Sequence, residues 1–128
     1  MKRQPEIEVY LRDCPTERLV AWLRAAIGPL EDPVEAGAAI VYPSAIGAVV
    51  VTPCIEDGPF VGVWFNTNRS PWTTDVDCAR QAARELVCTV RCDPGQHFPE
   101  VPRWVSDVFL EISGVVEKLV EWPPRNSM

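Results

Sequence analysis

The chain has 128 residues, the length of one domain with a substantial core, since a domain of this size buries about two thirds of its unfolded surface. Apolar residues make up 47% and charged residues 23%, which is ordinary globular composition and excludes a largely disordered chain. Twelve basic against eighteen acidic residues leave a net charge of −6, which repels a phosphate backbone. We therefore predict one domain over 1–128, frayed at 1–5 and 123–128, that binds no nucleic acid.

The length of the apolar runs and the number of cysteines indicate the cellular compartment of the protein. Lys2 and Arg3 are followed by Pro5 and Glu6, where an export signal needs an unbroken apolar run. The longest apolar run, around 45–51, is far shorter than the ~20 residues that span a bilayer. We expect a cytoplasmic protein with no membrane partner, whose five cysteines stay reduced.

The first elements in chain order are a strand and a helix. Apolar and polar residues alternate over 7–12, which is the period of a half-buried strand. Asp13 and Pro15 then have the composition of a helix start, with Asp13 as the N-cap. An apolar stripe follows at helical spacing, and Gly28 predicts the end of the helix.

The middle of the chain predicts three strands. An acidic loop over 31–35 leads to two runs rich in β-branched residues, 38–42 and 46–52, which predict a hairpin. The run 60–65 combines aromatic and β-branched residues and predicts a central strand.

The remaining elements are a second helix and three strands. Thr74 and Asp77 form a capping pair at the start of a helix with an apolar face. A short strand is predicted over 88–92, and a hairpin over 107–112 and 115–122. A loop with three prolines separates the short strand from the hairpin.

The resulting order predicts an α+β fold. It has a single antiparallel or mixed sheet with two helices on one face. The segments 9–13 and 63–67 are alike and each precedes a capped helix, which suggests a degenerate duplicated β-α-β-β unit. In that arrangement a groove between the two halves, lined by Tyr10 and Trp64, would hold a small molecule.

The five cysteines and the single histidine are the residues best suited to form a chemical site. Cys88, Cys92 and His97 are residue types that bind zinc, but four strand residues span ~13 Å, whereas two sulfurs on one zinc lie within ~4 Å. We therefore predict no metal and no cofactor, with Cys88 and Cys92 in the core. Cys14 stands at a helix start, where a thiol pKa falls, although Asp13 opposes that effect. The alternative is an inert, packed Cys14.

The composition favours binding of another protein over catalysis. No phosphate loop, nucleophile elbow or metalloprotease motif is present, which argues against an enzyme. Loop tryptophans beside arginine are typical of interface hot spots, although they can also fold back over the core. Acidity would steer the chain toward a basic partner.

The function predicted from the sequence is thus a non-enzymatic protein-binding domain, such as an inhibitor or an immunity-type antidote to a basic toxin or enzyme. The alternatives are the small-molecule sensor or carrier and a thiol-dependent enzyme that uses Cys14. A homodimer through the last hairpin remains open. The predicted partner-binding residues lie in two loops and two acidic connections: Trp72, His97, Phe98, Arg103, Trp104, Glu31, Asp32, Glu56 and Asp57.

Overall fold

A computed structural model describes residues 6–55, 58–95, 98–101 and 107–122. Within these ranges the fold is α+β, as predicted, with one antiparallel sheet of eight strands and two helices. No described helix is long and apolar enough to cross a membrane. The elements are β1 (Ile7–Arg12), α1 (Thr16–Ile27), β2 (Val34–Ala36), β3 (Ala39–Ser44), β4 (Gly47–Ile55), β5 (Phe60–Asn66), α2 (Asp75–Leu86), β6 (Val90–Cys92), β7 (Val108–Ser113) and β8 (Val116–Glu121).

The centre of the sheet is the antiparallel pair β1 and β5, in which Val9 lies opposite Val63. The full order is β2-β3-β4-β5-β1-β6-β7-β8, so each half of the sheet adds three strands to this pair. Helix α1 leads to the outermost strand β2, and the chain returns inward through β3 and β4. Helix α2 leads to the inner strand β6, and the chain continues outward. Each half therefore adds one helix and three strands to the central pair. In one half the three strands follow one another from the edge of the sheet inward, and in the other half from the centre outward.

One face of the sheet carries the core. Ile7, Val9 and Leu11 alternate along β1 with more exposed residues and are fully buried, as the period-two pattern predicted. Both helices pack over this face, and their buried side chains join the same hydrophobic cluster. Burial of each such aliphatic side chain stabilises the fold by about 1.5–3 kcal/mol. The opposite face of the sheet is free of described helices.

The two helices begin differently. The prediction that Asp13 caps α1 is wrong, because the N-cap is Pro15, no side chain caps the helix, and Asp13 adopts a left-handed conformation with φ of 50°. The prediction for α2 is confirmed, since the Thr74 hydroxyl accepts a hydrogen bond from the Asp77 N–H. Asp13 lies two residues before the N-cap, and its own N–H donates to the Pro59 carbonyl oxygen.

Two further predictions need correction. The acidic loop predicted over 31–35 contains the short edge strand β2, which pairs with β3. The short strand predicted over 88–92 begins only at Val90, so Cys88 lies outside it and is half-buried. Cys92 is fully buried in the core, as expected.

Candidate functional site

Most of the predicted contact residues lie outside the part of the chain that the structure describes. The described ones are Glu31, Asp32, Trp72 and Phe98. The predictions for His97, Arg103, Trp104, Glu56 and Asp57 fall on residues outside the described ranges.

Trp72 belongs to the core. Its side chain is only 4% exposed, and its ring stacks on Trp22 with centroids 5.7 Å apart. The ring also meets Phe65 edge-on at 5.0 Å, and its indole N–H donates to the Gln81 side chain at 2.8 Å. Phe98 is half-buried against the same cluster. Trp72 therefore lies in the core and not on a contact surface.

An acidic edge, defined by Glu31, Asp32 and Glu35, borders β2. All three side chains are exposed, and none is in an ion pair with another described residue. Val34 between them is 57% exposed and offers an apolar contact beside the carboxylates. Since β2 has β3 as its single described neighbour, its other side leaves backbone groups open to pairing.

The helix-free face of the sheet carries an aromatic cluster formed by Tyr10, Phe60, Phe109 and Trp122. Trp122 is at its centre, with ring centroids 5.0–5.2 Å from those of the other three. Burial, followed by the nearby Glu8 carboxylate, raises the pKa of the Tyr10 phenol. Tyr10, predicted to line a ligand groove, thus packs against other rings.

A cation lies over this cluster. The Arg91 guanidinium carbon is 4.4 Å from the Phe60 ring centroid and 5.2 Å from that of Trp122, which is the geometry of a cation–π contact. Its nitrogens reach Glu111 at 2.8 and 2.9 Å. Lys118 approaches the same carboxylate at 3.6 Å. Trp64, on this face as well, donates its N–H to Glu6 at 3.1 Å.

Cys14 and Cys88 form a thiol pair at the entrance of α1. At the end of the β1–β6 pairing, the Arg12 N–H donates to the Thr89 carbonyl oxygen at 2.9 Å. Cys14 follows Arg12 by two residues and Cys88 directly precedes Thr89, so this pairing brings the two sulfurs to one place. The Cys14 thiol contacts the Pro15 carbonyl oxygen at 3.8 Å, and a hydrogen bond from the neighbouring Cys88 thiol favours its ionised form.

The surroundings favour the thiolate of Cys14. The hydrogen bond from Cys88, aided by the Arg18 guanidinium and opposed by burial, lowers the pKa of Cys14 to about 7. The same contact and burial raise the pKa of Cys88. Asp13, expected to oppose ionisation of Cys14, lies 3.7 Å from Arg12 in an exposed ion pair. The pair therefore holds one activated thiol and one protonated thiol.

A half-buried carboxyl lies at the start of α2. Asp75 Oδ1 accepts the Glu8 N–H at 3.1 Å. Burial raises the pKa of Asp75 to about 7, and the Asp93 and Glu8 carboxylates add to the effect, against the hydrogen bond from the backbone. Within the described ranges, no three His, Cys, Asp or Glu side chains are placed to hold a metal ion.

An open groove of about 440 Å³ lies between α2 and the β7–β8 hairpin. Val87 and Val115 at its rim are 81% and 97% exposed. Arg80 crosses it to Glu117 with two hydrogen bonds of 2.8 and 2.9 Å. The groove is at the β8 end of the sheet, away from the acidic edge.

Comparison with protein-family models, curated proteins and solved structures finds no match to this chain. The assignment of a function therefore depends on the geometry described above.

Proposed function

We propose that the chain is a non-enzymatic protein-binding domain that recognises a basic protein, as an inhibitor or an antidote to a basic toxin or enzyme does. The observation that supports this function is the acidic edge. There, exposed carboxylates without a described cationic partner surround an exposed valine and an open strand edge. For a bound protein, the carboxylates would form a charged rim, the valine an apolar contact, and the strand edge a row of backbone groups for hydrogen bonding.

The open side of β2 gives the partner a way to bind. An extended segment that pairs with a sheet edge gains main-chain hydrogen bonds, and side chains beside the edge select the sequence. β2 has only three residues, so this pairing supplies few hydrogen bonds. Val34 adds an apolar contact, and the neighbouring carboxylates must supply most of the selectivity.

Charge supplies the second component. Complementary potentials raise the association rate and suppress wrong partners, and they are screened by salt. Glu31 and Asp32 lie three and two residues before the first residue of the edge strand, and Glu35 lies within it. A lysine- or arginine-rich strand docked there would place its cations beside these carboxylates.

The test is affinity purification from the native cell extract with the tagged chain, washed at low and then moderate salt and analysed by mass spectrometry. A basic protein retained at low salt is expected. The double variant E31Q/D32N should reduce its retention, because two carboxylates of the edge lose their charge.

The matched control is D13N/E17Q, which changes the net charge equally at two exposed carboxylates at the start of α1. Retention equal in the two double variants would show that overall acidity, and not the edge, carries the binding. Absence of any stoichiometric protein would overturn the proposal.

A further inference from the structure

The thiol pair has a geometry that protein binding at the acidic edge does not use. Cys14 and Cys88 are far apart in the sequence, and the β1–β6 pairing brings them together through the bond from Arg12 to Thr89. In addition, Arg18 donates to the Leu86 carbonyl oxygen, which ties the first turn of α1 to the end of α2. Two helix ends are thus fastened around the two sulfurs.

The backbone beside each sulfur is unusual. Asp13, before Cys14, has φ of 50°, and Val87, before Cys88, has φ of 53°. The left-handed region is costly for a β-branched residue such as Val87, whose side chain is also 81% exposed. The third described non-glycine residue with a positive φ is Cys54 itself, so both of the others directly precede Cys14 and Cys88.

The other described cysteines lack this arrangement. Cys14 is also buried, with 7% exposed, but its pKa is lowered, whereas burial raises the pKa of the fully buried Cys78 and Cys92. Cys54 is exposed on an irregular stretch of β4, where the pairing with β5 shifts register. Among the five cysteines, Cys14 and Cys88 are therefore the two whose thiols influence each other.

We propose that Cys14 and Cys88 form a redox-active dithiol, a modification site that a hydroperoxide converts into a disulfide. Cys14 acts as the attacking sulfur and Cys88 as the resolving one. This site is independent of the acidic edge, and its test does not require a protein partner.

The chemistry takes two balanced steps. The Cys14 thiolate attacks one oxygen of hydrogen peroxide, the O–O bond breaks, and hydroxide leaves, so that Cys14 becomes a sulfenic acid. The Cys88 sulfur then attacks the Cys14 sulfur, the S–O bond breaks, and the leaving hydroxide takes the Cys88 proton as water. Hydrogen peroxide is the oxidant, and the two sulfurs are the reductant. The step is complete when the two sulfurs reach the S–S distance of about 2.05 Å.

The sequence makes the test direct, because tryptic cleavage places each of the five cysteines in a separate peptide. The peptide 13–18 contains Cys14, and the peptide 85–91 contains Cys88. The folded native chain is treated with hydrogen peroxide at neutral pH, its remaining thiols are alkylated, and the digest is analysed without reduction. A linked pair of these two peptides, lacking two hydrogen atoms and separated by dithiothreitol, is expected.

Three single variants complete the experiment. C14S and C88S should each abolish the linked peptides, whereas C54S should leave their yield unchanged. C88S should also leave a sulfenic acid on Cys14 that dimedone traps, which identifies Cys14 as the attacking sulfur. Circular dichroism verifies that each variant is folded.

Two results would overturn the proposal, and both come from the native chain. One is a native chain that stays fully reduced, and the other is peroxide-induced linkage distributed over Cys54 and the remaining cysteines. Over-oxidation of Cys14 without any linkage to Cys88 would contradict the resolving role.

Discussion

Arg91 and Glu111 face each other across β6 and β7 in an ion pair of 2.8 Å whose side chains are only 16% and 13% exposed. The pair lies over the aromatic rings of the helix-free face, where the local dielectric is lower than in water. Its removal should therefore be costly, unlike the loss of a surface pair.

We expect R91M to lower the free energy of unfolding by about 2–3 kcal/mol, since it leaves the Glu111 carboxylate part-buried beside Lys118 alone. R91K should recover only part of this loss, because lysine lacks the planar group that stacks on Phe60. Urea unfolding gives both values. R84A is the control, since Arg84 has an exposed contact of 4.0 Å with Glu85 and its loss should cost below about 0.5 kcal/mol. Equal losses in R91M and R84A would refute a special role for the buried pair.

The position of Trp72 gives a second prediction. W72A should lower the free energy of unfolding by about 3–5 kcal/mol, because it leaves a cavity beside Trp22 and Phe65. W72F should cost less, since it keeps the ring and loses the hydrogen bond to Gln81. Thermal or urea unfolding measures this effect. A neutral W72A that weakens binding to a captured partner would instead restore Trp72 to the contact surface.

Regular periodicity explains which elements the sequence predicts. The alternation over 7–12 and the capping pair Thr74 and Asp77 are local signals, and the structure confirms both elements. β2 has no such signal, because its three residues are all exposed and show no alternation. It is a strand because β3 pairs with it.

The sites depend on contacts between distant parts of the chain. Cys14 meets Cys88 only through the register of β1 against β6, which no spacing in the sequence reveals. The aromatic cluster likewise draws Tyr10, Phe60 and Trp122 from separate strands. What the sequence could show was the separate residue types: a cysteine at a helix start, and aromatic residues within predicted strands.

Asp75 predicts a pH dependence of stability. Because burial raises the pKa of Asp75 from 3.8 to about 7, the folded state holds this proton more tightly than the unfolded state does. Its contribution is therefore most favourable below about pH 4 and falls as the pH rises from about 4 to 7. Above pH 7 the folded chain carries the full cost of a part-buried carboxylate.

D75N should remove this slope and raise the free energy of unfolding at pH 8 by about 2 kcal/mol, since an amide oxygen can still accept the Glu8 N–H. Urea unfolding of both chains between pH 4 and 8 provides the comparison. D77N is the control in the same helical turn, and it should lower stability slightly through its loss of charge at the helix N-terminus. Parallel pH profiles for the native chain and D75N would contradict the argument.

The thiol pair predicts how the reactivity of Cys14 varies with pH. Alkylation consumes the thiolate, so the rate at Cys14 should reach half its maximum near the pKa of about 7, below the ~8.5 of an ordinary thiol. The measurement is the rate at which iodoacetamide labels the peptide 13–18 between pH 5.5 and 10. Labelling of the exposed Cys54 in the same samples verifies that the reagent is active at each pH. C88A should shift the midpoint upward, because Cys88 donates the hydrogen bond that stabilises the thiolate. R18A should shift it upward by less, since the guanidinium acts through charge alone on this sulfur. A midpoint near 8.5 that C88A leaves unchanged would show that the two sulfurs do not interact.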